Sequence, residues 1–285
     1  MKIAIVTIQY PPTIGGLQAH VKGIVDLVKS IGHEVTVITS KPNPAMKVEG
    51  GADSDVIQLP AIKWFKDSPI INTFKIYRTL KKINPDIVHV VSPFPLSLDI
   101  ACVYAYLNRK KIVCTYIDDI IVEFPYSMII KVYEKIFWKI CKHKVDSISV
   151  SSHEYGKNAT GLKDWKKEFY VIPPPIFDTD FNFTLNKKYD AKNRLELDGY
   201  DKIVLFVGGL RKRLTYKRPD LLLKAWSEYI KEMNDNSVLM IIGDGELAGY
   251  YKNLASELVR ASDNTIFRLE VARVSLVDCY LASDV

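Results

Sequence analysis

Residues 203–219 read Ile-Val-Leu-Phe-Val-Gly-Gly-Leu-Arg-Lys-Arg-Leu-Thr-Tyr-Lys-Arg-Pro. An apolar run at 203–207 has the composition of a buried strand, and it ends in a glycine pair and a basic segment. A helical pattern rich in Leu and Ala begins at Pro219. A buried strand that leads through a glycine turn into a helix is the repeating unit of parallel sheets with crossover helices. This stretch therefore predicts an α/β fold.

The same alternation of strand and helix runs through the rest of the chain. Strands are predicted at 2–7, 34–39, 87–91, 111–116, 147–150, 170–172, 203–207, 238–242 and 265–269. Helices are predicted at 17–30, 219–232 and 247–260. We predict two Rossmann-like domains that face a cleft, the second incomplete, with bounds 1–178 and 201–285 and an interdomain crossing at 179–200.

Composition places the chain among globular proteins, with 48% hydrophobic and 25% charged residues in 285. No apolar run approaches the roughly 20 residues that span a bilayer. Met1-Lys2 leads directly into a strand pattern without the features of a signal peptide. The four cysteines show no paired spacing, as is typical of buried thiols in a reducing compartment. We predict a cytoplasmic protein.

The positive charge lies in the N-terminal part. Residues 1–178 carry 23 Lys and Arg against 17 Asp and Glu, whereas the remainder is neutral. Residues 126–144 read as a helix with an apolar and a basic stripe, formed by Ile129, Tyr133, Ile136, Phe137 and Ile140 and by Lys131, Lys135, Lys139 and Lys142. Peripheral contact with an anionic membrane is one interpretation. The favoured interpretation is a helix whose apolar side covers the sheet.

Three glycine turns follow predicted strands. Gly15 and Gly16 precede the helix at 17–30, Gly208 and Gly209 precede Arg211, Lys212 and Arg213, and the third turn holds Gly243 and Gly245. Free N–H groups at helix starts, together with basic side chains, favour phosphate. We expect a diphosphate ligand held between the domains. For Gly15 and Gly16 a tight structural turn is the alternative, and for the basic segment a solvated charge run.

The ordered motifs resemble glycosyltransferase family 4, retaining enzymes of the GT-B fold. The matching segments are Tyr10-Pro11-Pro12, Gly15-Gly16, His20-Val21, Gly32-His33-Glu34-Val35-Thr36-Val37, Pro85-Asp86-Ile87-Val88-His89, Val150-Ser151-Ser152, Val171-Ile172-Pro173, Phe206-Val207-Gly208-Gly209-Leu210, Lys217-Arg218-Pro219-Asp220, Leu222-Leu223-Lys224-Ala225, Ile242-Gly243-Asp244-Gly245, Asn264-Thr265-Ile266-Phe267 and 280–285. They cover nearly the whole chain.

The resemblance implies an N-terminal acceptor-side domain and a C-terminal nucleotide-sugar-binding domain. It implies transfer of a sugar from a nucleotide diphosphate to a glycan or lipid-linked acceptor, in cell-envelope polysaccharide synthesis at the inner face of the membrane. The anomeric configuration is retained, and no metal or other cofactor and no nucleic acid is expected. Lys217 matches the lysine that binds the diphosphate, and Gly15 and Gly16 match a loop that closes over donor and acceptor. Further donor-binding candidates are Gly208, Gly209, Arg213, Gly243 and Gly245.

Three positions depart from the family pattern, and one of them is Leu269, where the family prefers a glycine near the nucleobase. Gly209 stands where the family has an arginine, so Arg211 or Arg213 is the candidate replacement. Ile117 stands where the family has a histidine that contacts the transferred sugar. Asp118 is the candidate replacement there, although loop capping is the favoured role for it. Acceptor-side candidates are His20 and His89, for which a structural role is the alternative; the five histidines show no metal-binding spacing.

Residues 280–285 read as the start of a strand, after which the family continues into a pair of glutamates that hold the donor. We therefore expect a chain truncated before that motif, with poor transfer on its own. A non-catalytic GT-B binding protein, or one half of a split enzyme, is the second interpretation. A GT-B sugar epimerase is disfavoured because the pattern Lys217-Arg218-Pro219 belongs to the transferases.

Overall fold

The computed structural model describes residues 1–13, 15–42, 54–65, 68–92, 96–119, 126–133, 135–136, 139–175, 184–233, 235–258, 264–268 and 273–285. The chain divides into two compact units, Met1–Ile176 and Phe177–Val285, called unit 1 and unit 2 below. In the described part of the chain, no helix combines the length and the apolar character that crossing a bilayer requires. The predicted α/β class is confirmed.

Unit 1 is built on a seven-stranded parallel sheet with the strand order β3-β2-β1-β6-β7-β8-β9. Its strands are β1 (Lys2–Val6), β2 (Glu34–Ser40), β3 (Val56–Leu59), β6 (Ile87–Ser92), β7 (Lys111–Tyr116), β8 (Ser147–Val150) and β9 (Tyr170–Val171). A separate antiparallel pair is formed by β4 (Ala61–Phe65) and β5 (Ser68–Ile71). Along β1, Ile3 and Ile5 join one apolar cluster, and Ala4 and Val6 join another. Both faces of the sheet are therefore covered, as in doubly wound folds.

Six helices of unit 1 lie in the described residues. They are α1 (Gly16–Ser30), α2 (Thr73–Ile83), α3 (Ser97–Leu107), α4 (Tyr126–Tyr133), α5 (Lys139–Lys144) and α6 (His153–Asn158). Side-chain caps set two of the starts, since Asn72 accepts from the Lys75 N–H and Ser152 accepts from the Tyr155 N–H. The predicted β1, β2, β6, β7, β8, β9 and α1 are confirmed within two residues at each end.

Unit 2 contains a three-stranded parallel sheet of β10 (Lys202–Val207), β11 (Ser237–Ile242) and β12 (Thr265–Arg268), which confirms the three predicted strands. Its helices are α7 (Leu185–Arg194), α8 (Pro219–Glu232), α9 (Ala248–Glu257) and α10 (Arg273–Ala282). The side chains of β11 alternate between two apolar clusters, so both faces of this sheet are covered as well. Pro219 occupies the first turn of α8, where its missing N–H costs no hydrogen bond.

Helices lie at both ends of unit 2. The predicted crossing at 179–200 contains α7, whose Ala191 is buried in the same cluster as Ile203. The prediction that 280–285 begin a strand is wrong for Tyr280–Ala282, which end α10. Cys279 and Ala282 are fully buried, and an apolar run of this kind serves a packed helix as well as a strand. Extended pairing begins only afterwards, where Asp284 N–H donates to Ile203 O (2.8 Å).

The predicted single helix over 126–144 is present as α4 and α5. The favoured interpretation, that its apolar side is buried on the sheet, is wrong for two of its members. Ile136 is 48% exposed and Ile140 is 60% exposed. Lys131, Lys135 and Lys139 are exposed, as expected, and Phe137 lies outside the described residues. The apolar side chains of this segment therefore contribute to the surface of unit 1.

Asp99 joins α3 to the two helices that follow it. Its carboxylate accepts from the Leu96 N–H (2.7 Å), the Tyr133 hydroxyl (2.8 Å) and the Cys141 thiol (3.1 Å). Burial and the adjacent Asp99 charge raise the pKa of the Tyr133 hydroxyl, so it stays protonated and donates. Asp99→Ala leaves these donors without their acceptor, and we expect the free energy of unfolding to fall by about 2–3 kcal/mol.

The matched control for Asp99→Ala is Glu228→Ala, which removes an exposed carboxylate paired with Lys231 on α8. That change is expected to cost less than about 0.5 kcal/mol because exposed ion pairs contribute little. Urea unfolding of both variants measures the difference. Equal losses would show that Asp99 does not join the three helices energetically.

Candidate functional site

Two glycine turns meet at the carboxyl-terminal edge of the unit 2 sheet. Gly208 N–H, directly after β10, donates to Ile242 O at the end of β11 (2.9 Å). Leu210 N–H donates to Asp244 O (2.9 Å), and Leu247 N–H donates back to Leu210 O (2.9 Å). The two turns therefore form one hydrogen-bonded loop pair, at the edge where parallel sheets bind ligands.

Close backbone contact accounts for the glycines of the second turn. A Cβ atom at Gly243 would lie 1.8 Å from Gly208 O, and one at Gly245 would lie 2.4 Å from Leu210 O. A backbone oxygen cannot move aside without breaking the loop pair. Both glycines thus have a structural reason to be present, and their role in donor binding stays a prediction.

Lys217 lies beside the first glycine turn. It ends the 3-10 turn Lys212–Lys217, and its Cδ lies 3.1 Å from the position of a Cβ at Gly208. The side chain is exposed, and within the described part of the chain its ammonium makes no ion pair. The sequence prediction named this lysine and this glycine, and the structure brings them together at the edge of the sheet.

The other basic residues of this segment have different surroundings. Arg218 pairs with Asp220 through three hydrogen bonds, from Nε to Oδ1 (3.0 Å) and Oδ2 (3.2 Å) and from Nη2 to Oδ2 (2.9 Å). Arg211 packs its stem against Gly245. Glu246 accepts from the Lys212 N–H (3.0 Å), and this bond, with the nearby Arg211 and Lys212 charges, lowers the pKa of Glu246. The side chain of Arg213 is not among the side chains that the structure describes.

In unit 1, Gly15 lies over a polar network that the sequence analysis missed. A Cβ at Gly15 would lie 2.5 Å from Gln18 Oε1. Gln18 is 5% exposed and donates from Nε2 to Gln9 Oε1 (3.0 Å) and to Thr13 Oγ1 (3.2 Å). Its burial could have been predicted from the sequence, because Gln18 lies three residues before Val21 and therefore on the apolar face of α1. Gly16 begins α1 with open space around it.

The two predicted histidines are neighbours at one face of the unit 1 sheet. His89 lies in the middle of β6 and not at its end, and its Nε2 lies 2.7 Å from Thr115 Oγ1. His20 on α1 is buried, and its Nε2 has no partner in the described residues. Burial lowers the pKa of His20, and burial followed by the His20 charge lowers the pKa of His89 to about 4. Both imidazoles are therefore neutral at pH 7.

Thr115 extends the His89 contact across the sheet, since its Oγ1 lies 2.9 Å from Ser149 Oγ on β8. This line of hydroxyls was not found by sequence analysis, because parallel pairing of distant strands creates it. The described residues contain no group of three or more His, Cys, Asp or Glu that could hold a metal ion.

Asp118 and Asp119 follow β7 and differ in role. Asp118 is exposed and accepts a hydrogen bond from the adjacent Asp119 N–H (2.9 Å), and partial burial of its carboxyl group raises its pKa. Asp119 accepts from Tyr116 OH (2.5 Å) and from the Thr160 N–H (2.9 Å). Loop capping, favoured for Asp118 from the sequence, therefore belongs to Asp119. Ile117 packs against an apolar cluster of unit 1.

Solved structures define the class of this fold, which is the GT-B glycosyltransferase fold. One is HepE of Anabaena, solved in complex with UDP-glucose, which matches with 13% identity and a TM-score of 0.68. The match covers 100% of this chain and 72% of the HepE chain. Another is WaaG, a glycosyltransferase involved in lipopolysaccharide biosynthesis, which matches with 17% identity and a TM-score of 0.66. That match covers 99% of this chain and 73% of the WaaG chain.

The chain belongs to glycosyltransferase family 4, whose model matches residues 14–180. Residues 187–285 match the model of the glycosyl transferases group 1. A relative is the alpha-monoglucosyldiacylglycerol synthase of Acholeplasma laidlawii, which is 26% identical over 262 residues. That match covers 86% of this chain and 64% of the relative.

The loop pair of unit 2 is tested by Gly243→Ala. Because the new Cβ would meet Gly208 O at 1.8 Å, we expect a loss of at least about 2 kcal/mol in the free energy of unfolding. Gly249→Ala on α9 is the control, since nothing lies near its Cβ and alanine favours a helix by about 0.5–1 kcal/mol. Chemical denaturation measures both. Tolerance of Gly243→Ala would contradict the close approach.

The histidine pair predicts a pH dependence. A histidine with a pKa near 4 when folded and about 6.5 when unfolded takes up its proton mainly in the unfolded state between these values. Stability is therefore complete above pH 6.5 and falls as the pH decreases toward 4, by up to about 3 kcal/mol from His89. NMR titration of the imidazoles measures the two pKa values. In the variant His89→Gln, the fall of stability between pH 6.5 and pH 4 should be smaller by the contribution of His89. A His89 resonance that titrates near 6.5 would contradict it.

Proposed function

We propose that this chain functions as a retaining glycosyltransferase that takes a sugar from a nucleotide diphosphate donor, with the diphosphate bound at the loop pair of unit 2. The observation that carries the proposal is the position of Lys217, whose stem lies beside Gly208 at the carboxyl-terminal edge of β10 and whose ammonium makes no ion pair with a described residue. A lysine without a protein partner at such an edge is a point charge available to a phosphate.

The surroundings of Lys217 support a diphosphate over a neutral ligand. The missing side chain of Gly208 leaves room for the Lys217 stem, whose Cδ lies 3.1 Å from the position of a Cβ there. Arg211 adds a second cation on the same segment. Departure of a nucleoside diphosphate leaves negative charge on its terminal phosphate, and fixed cations stabilise that charge as it develops. We therefore assign the leaving-group role to Lys217 and Arg211, with Arg213, Gly243 and Gly245 as further donor contacts.

The proposed acceptor is a lipid-linked or glycan hydroxyl. The Acholeplasma relative is by name a synthase of a glucosyl diacylglycerol, and WaaG takes part in lipopolysaccharide biosynthesis. Unit 1 supplies the acceptor side in this proposal, with His20, His89 and Asp118 as its candidate residues and Gly15 and Gly16 as its loop. The chain would act at the cytoplasmic face of the membrane and without a metal ion.

Two observations favour a non-catalytic GT-B binding protein, or one half of a split enzyme, as the second candidate. Ile117, which stands in place of a sugar-contacting histidine, is packed into an apolar cluster. At Gly209, in place of an arginine, a Cβ would lie 2.7 Å from Leu214 Cδ1. The surroundings of both positions fit the residues that are present. Restoring the histidine or the arginine of the family would therefore require neighbouring side chains to move.

The donor site is tested by thermal stabilisation with UDP, ADP, GDP and their glucose conjugates. UDP is the first choice because HepE was solved with UDP-glucose. We expect one nucleotide to raise the melting temperature of the wild type. Lys217→Ala should weaken its binding about 10–100-fold, because a hydrogen bond to a charged group contributes about 1.5–3 kcal/mol. Lys224→Ala, an exposed lysine on α8, is the matched control and should bind normally.

The outcomes separate the two candidates. Transfer of labelled sugar to a lipid or glycan acceptor, with retained configuration by NMR, supports the enzyme. Nucleotide binding that requires Lys217, without transfer to any acceptor, supports the binding protein. A cooperatively melting wild type that no nucleotide stabilises, or a Lys217→Ala variant that binds as well as Lys224→Ala, overturns the diphosphate site.

A further inference from the structure

A basic cavity lies at the edge of unit 1 where β7 and β8 begin. Its volume is about 370 Å³, and the residues that define its chemistry are Tyr106, Arg109, Lys110, Lys111, Lys144 and Asp146. Lys111 is the first residue of β7, and Asp146 directly precedes β8. The carboxyl-terminal ends of the same strands lie at the opposite edge of this sheet. The cavity is therefore separate from the residues discussed above as acceptor-side candidates.

The charges around this cavity are unbalanced. Its one carboxylate, Asp146, is already engaged, because it accepts from Lys111 Nζ (3.0 Å) and from the Ile112 N–H (2.8 Å). Arg109, Lys110 and Lys144 make no ion pair with any described residue. Three cations thus surround a cavity in which no described carboxylate pairs with them, an arrangement that favours an anion with several oxygen atoms.

The backbone holds two of these cations in place. Lys110 N–H donates to Ala105 O (2.8 Å) and Arg109 N–H donates to Tyr106 O (3.4 Å), the two bonds of a Schellman motif at the end of α3. Arg109 occupies the left-handed position of that motif, with φ +52°. Glycine is the favoured residue there, and an arginine costs conformational free energy. Arg109 is therefore present at a position where folding stability alone would favour glycine.

Exposed apolar side chains lie on α3 and α5, the two helices that contribute residues to the cavity. Tyr106 is 69% exposed and Leu107 is 63% exposed at the end of α3. Lys144 Nζ lies 5.1 Å from the centre of the Tyr106 ring. Ile140, 60% exposed, precedes Lys144 by one turn on α5, and α5 packs against α3. Aromatic and apolar side chains next to lysines are the composition of surfaces that enter the interface of an anionic bilayer.

We propose that this cavity binds the phosphate of an anionic membrane lipid, while Tyr106, Leu107 and Ile140 enter the interfacial layer of the bilayer. Charge complementarity selects the occupant, since three cations without a described ion-pair partner favour an anion and the nearby apolar side chains favour an apolar environment. A soluble phosphate satisfies only the first requirement. This site shares no residue with the donor site of unit 2, so loss of lipid binding and loss of donor binding can be measured separately.

The test measures partition of the full chain onto vesicles of phosphatidylcholine alone or with one third phosphatidylglycerol. We expect binding to the anionic vesicles, weakened by added salt, and none to the neutral ones. The combined variant Arg109→Gln, Lys110→Gln, Lys144→Gln should bind about 100-fold more weakly, since each cation near the surface contributes about a factor of five. The control Arg78→Gln, Lys81→Gln, Lys82→Gln removes the same residue types from α2 and should bind like the wild type.

A second variant separates binding from folding. Arg109→Gly places glycine at the left-handed position, so the melting temperature should be unchanged or higher while binding to anionic vesicles falls several-fold. Asn84→Gly makes the same backbone change at the left-handed cap of α2 and should leave vesicle binding unchanged. Leu107→Ser should also weaken binding, because its exposed side chain no longer enters the interface.

Three results would overturn the proposal. The first is equal binding of the cavity variant and its α2 control. The second is wild-type binding to neutral vesicles as strong as to anionic ones. The third is release of the chain from vesicles by millimolar inorganic phosphate, which would make the cavity a site for a soluble anion. Lys217→Ala is expected to bind anionic vesicles normally, so loss of the donor site is distinguished from loss of the lipid site.

Discussion

The close approach of two backbones, at Gly208 and Gly243, is the constraint on which the candidate donor site depends. Parallel pairing of β10 with β11 brings their carboxyl ends together, and the hydrogen bonds between the turns hold them there. Only glycine fits at 243, because Gly208 O occupies the space of a side chain. The same absence of side chains leaves room for the stem of Lys217 across Gly208, which places a cation at the edge of the sheet.

In unit 1, contacts between polar side chains, rather than between backbones, connect neighbouring strands and support the Gly15 turn. His89, Thr115 and Ser149 belong to three neighbouring strands and are joined by contacts of 2.7 and 2.9 Å. Below the Gly15 turn, the Gln18 amide fills the space that a side chain at 15 would need. Buried polar networks of this kind fix the position of a surface only when each member is satisfied. His20 Nε2 is buried without a described partner, so it is not satisfied in this way.

Much of the fold follows from local pattern alone. Strands such as β7 and helices such as α8 were predicted at their observed ends, because a buried run and a Pro at the helix start are local signals. The segment 280–282 was misread because a short apolar run does not distinguish a strand from a packed helix. The exposure of Ile140, the Gln18 network and the unbalanced basic cavity depend on contacts between distant residues. No periodicity of the chain encodes them.

Of the candidate site, the sequence predicted the residue types and the loops, and the structure added which of the cations lack a partner. Arg218 is paired with Asp220, whereas Lys217 has no described partner. The central claim is therefore that Lys217 binds a diphosphate beside Gly208. A crystal structure of the chain with bound UDP tests it most directly. We expect the β-phosphate within about 3 Å of Lys217 Nζ. A diphosphate bound away from Lys217 and the two glycine turns would contradict it.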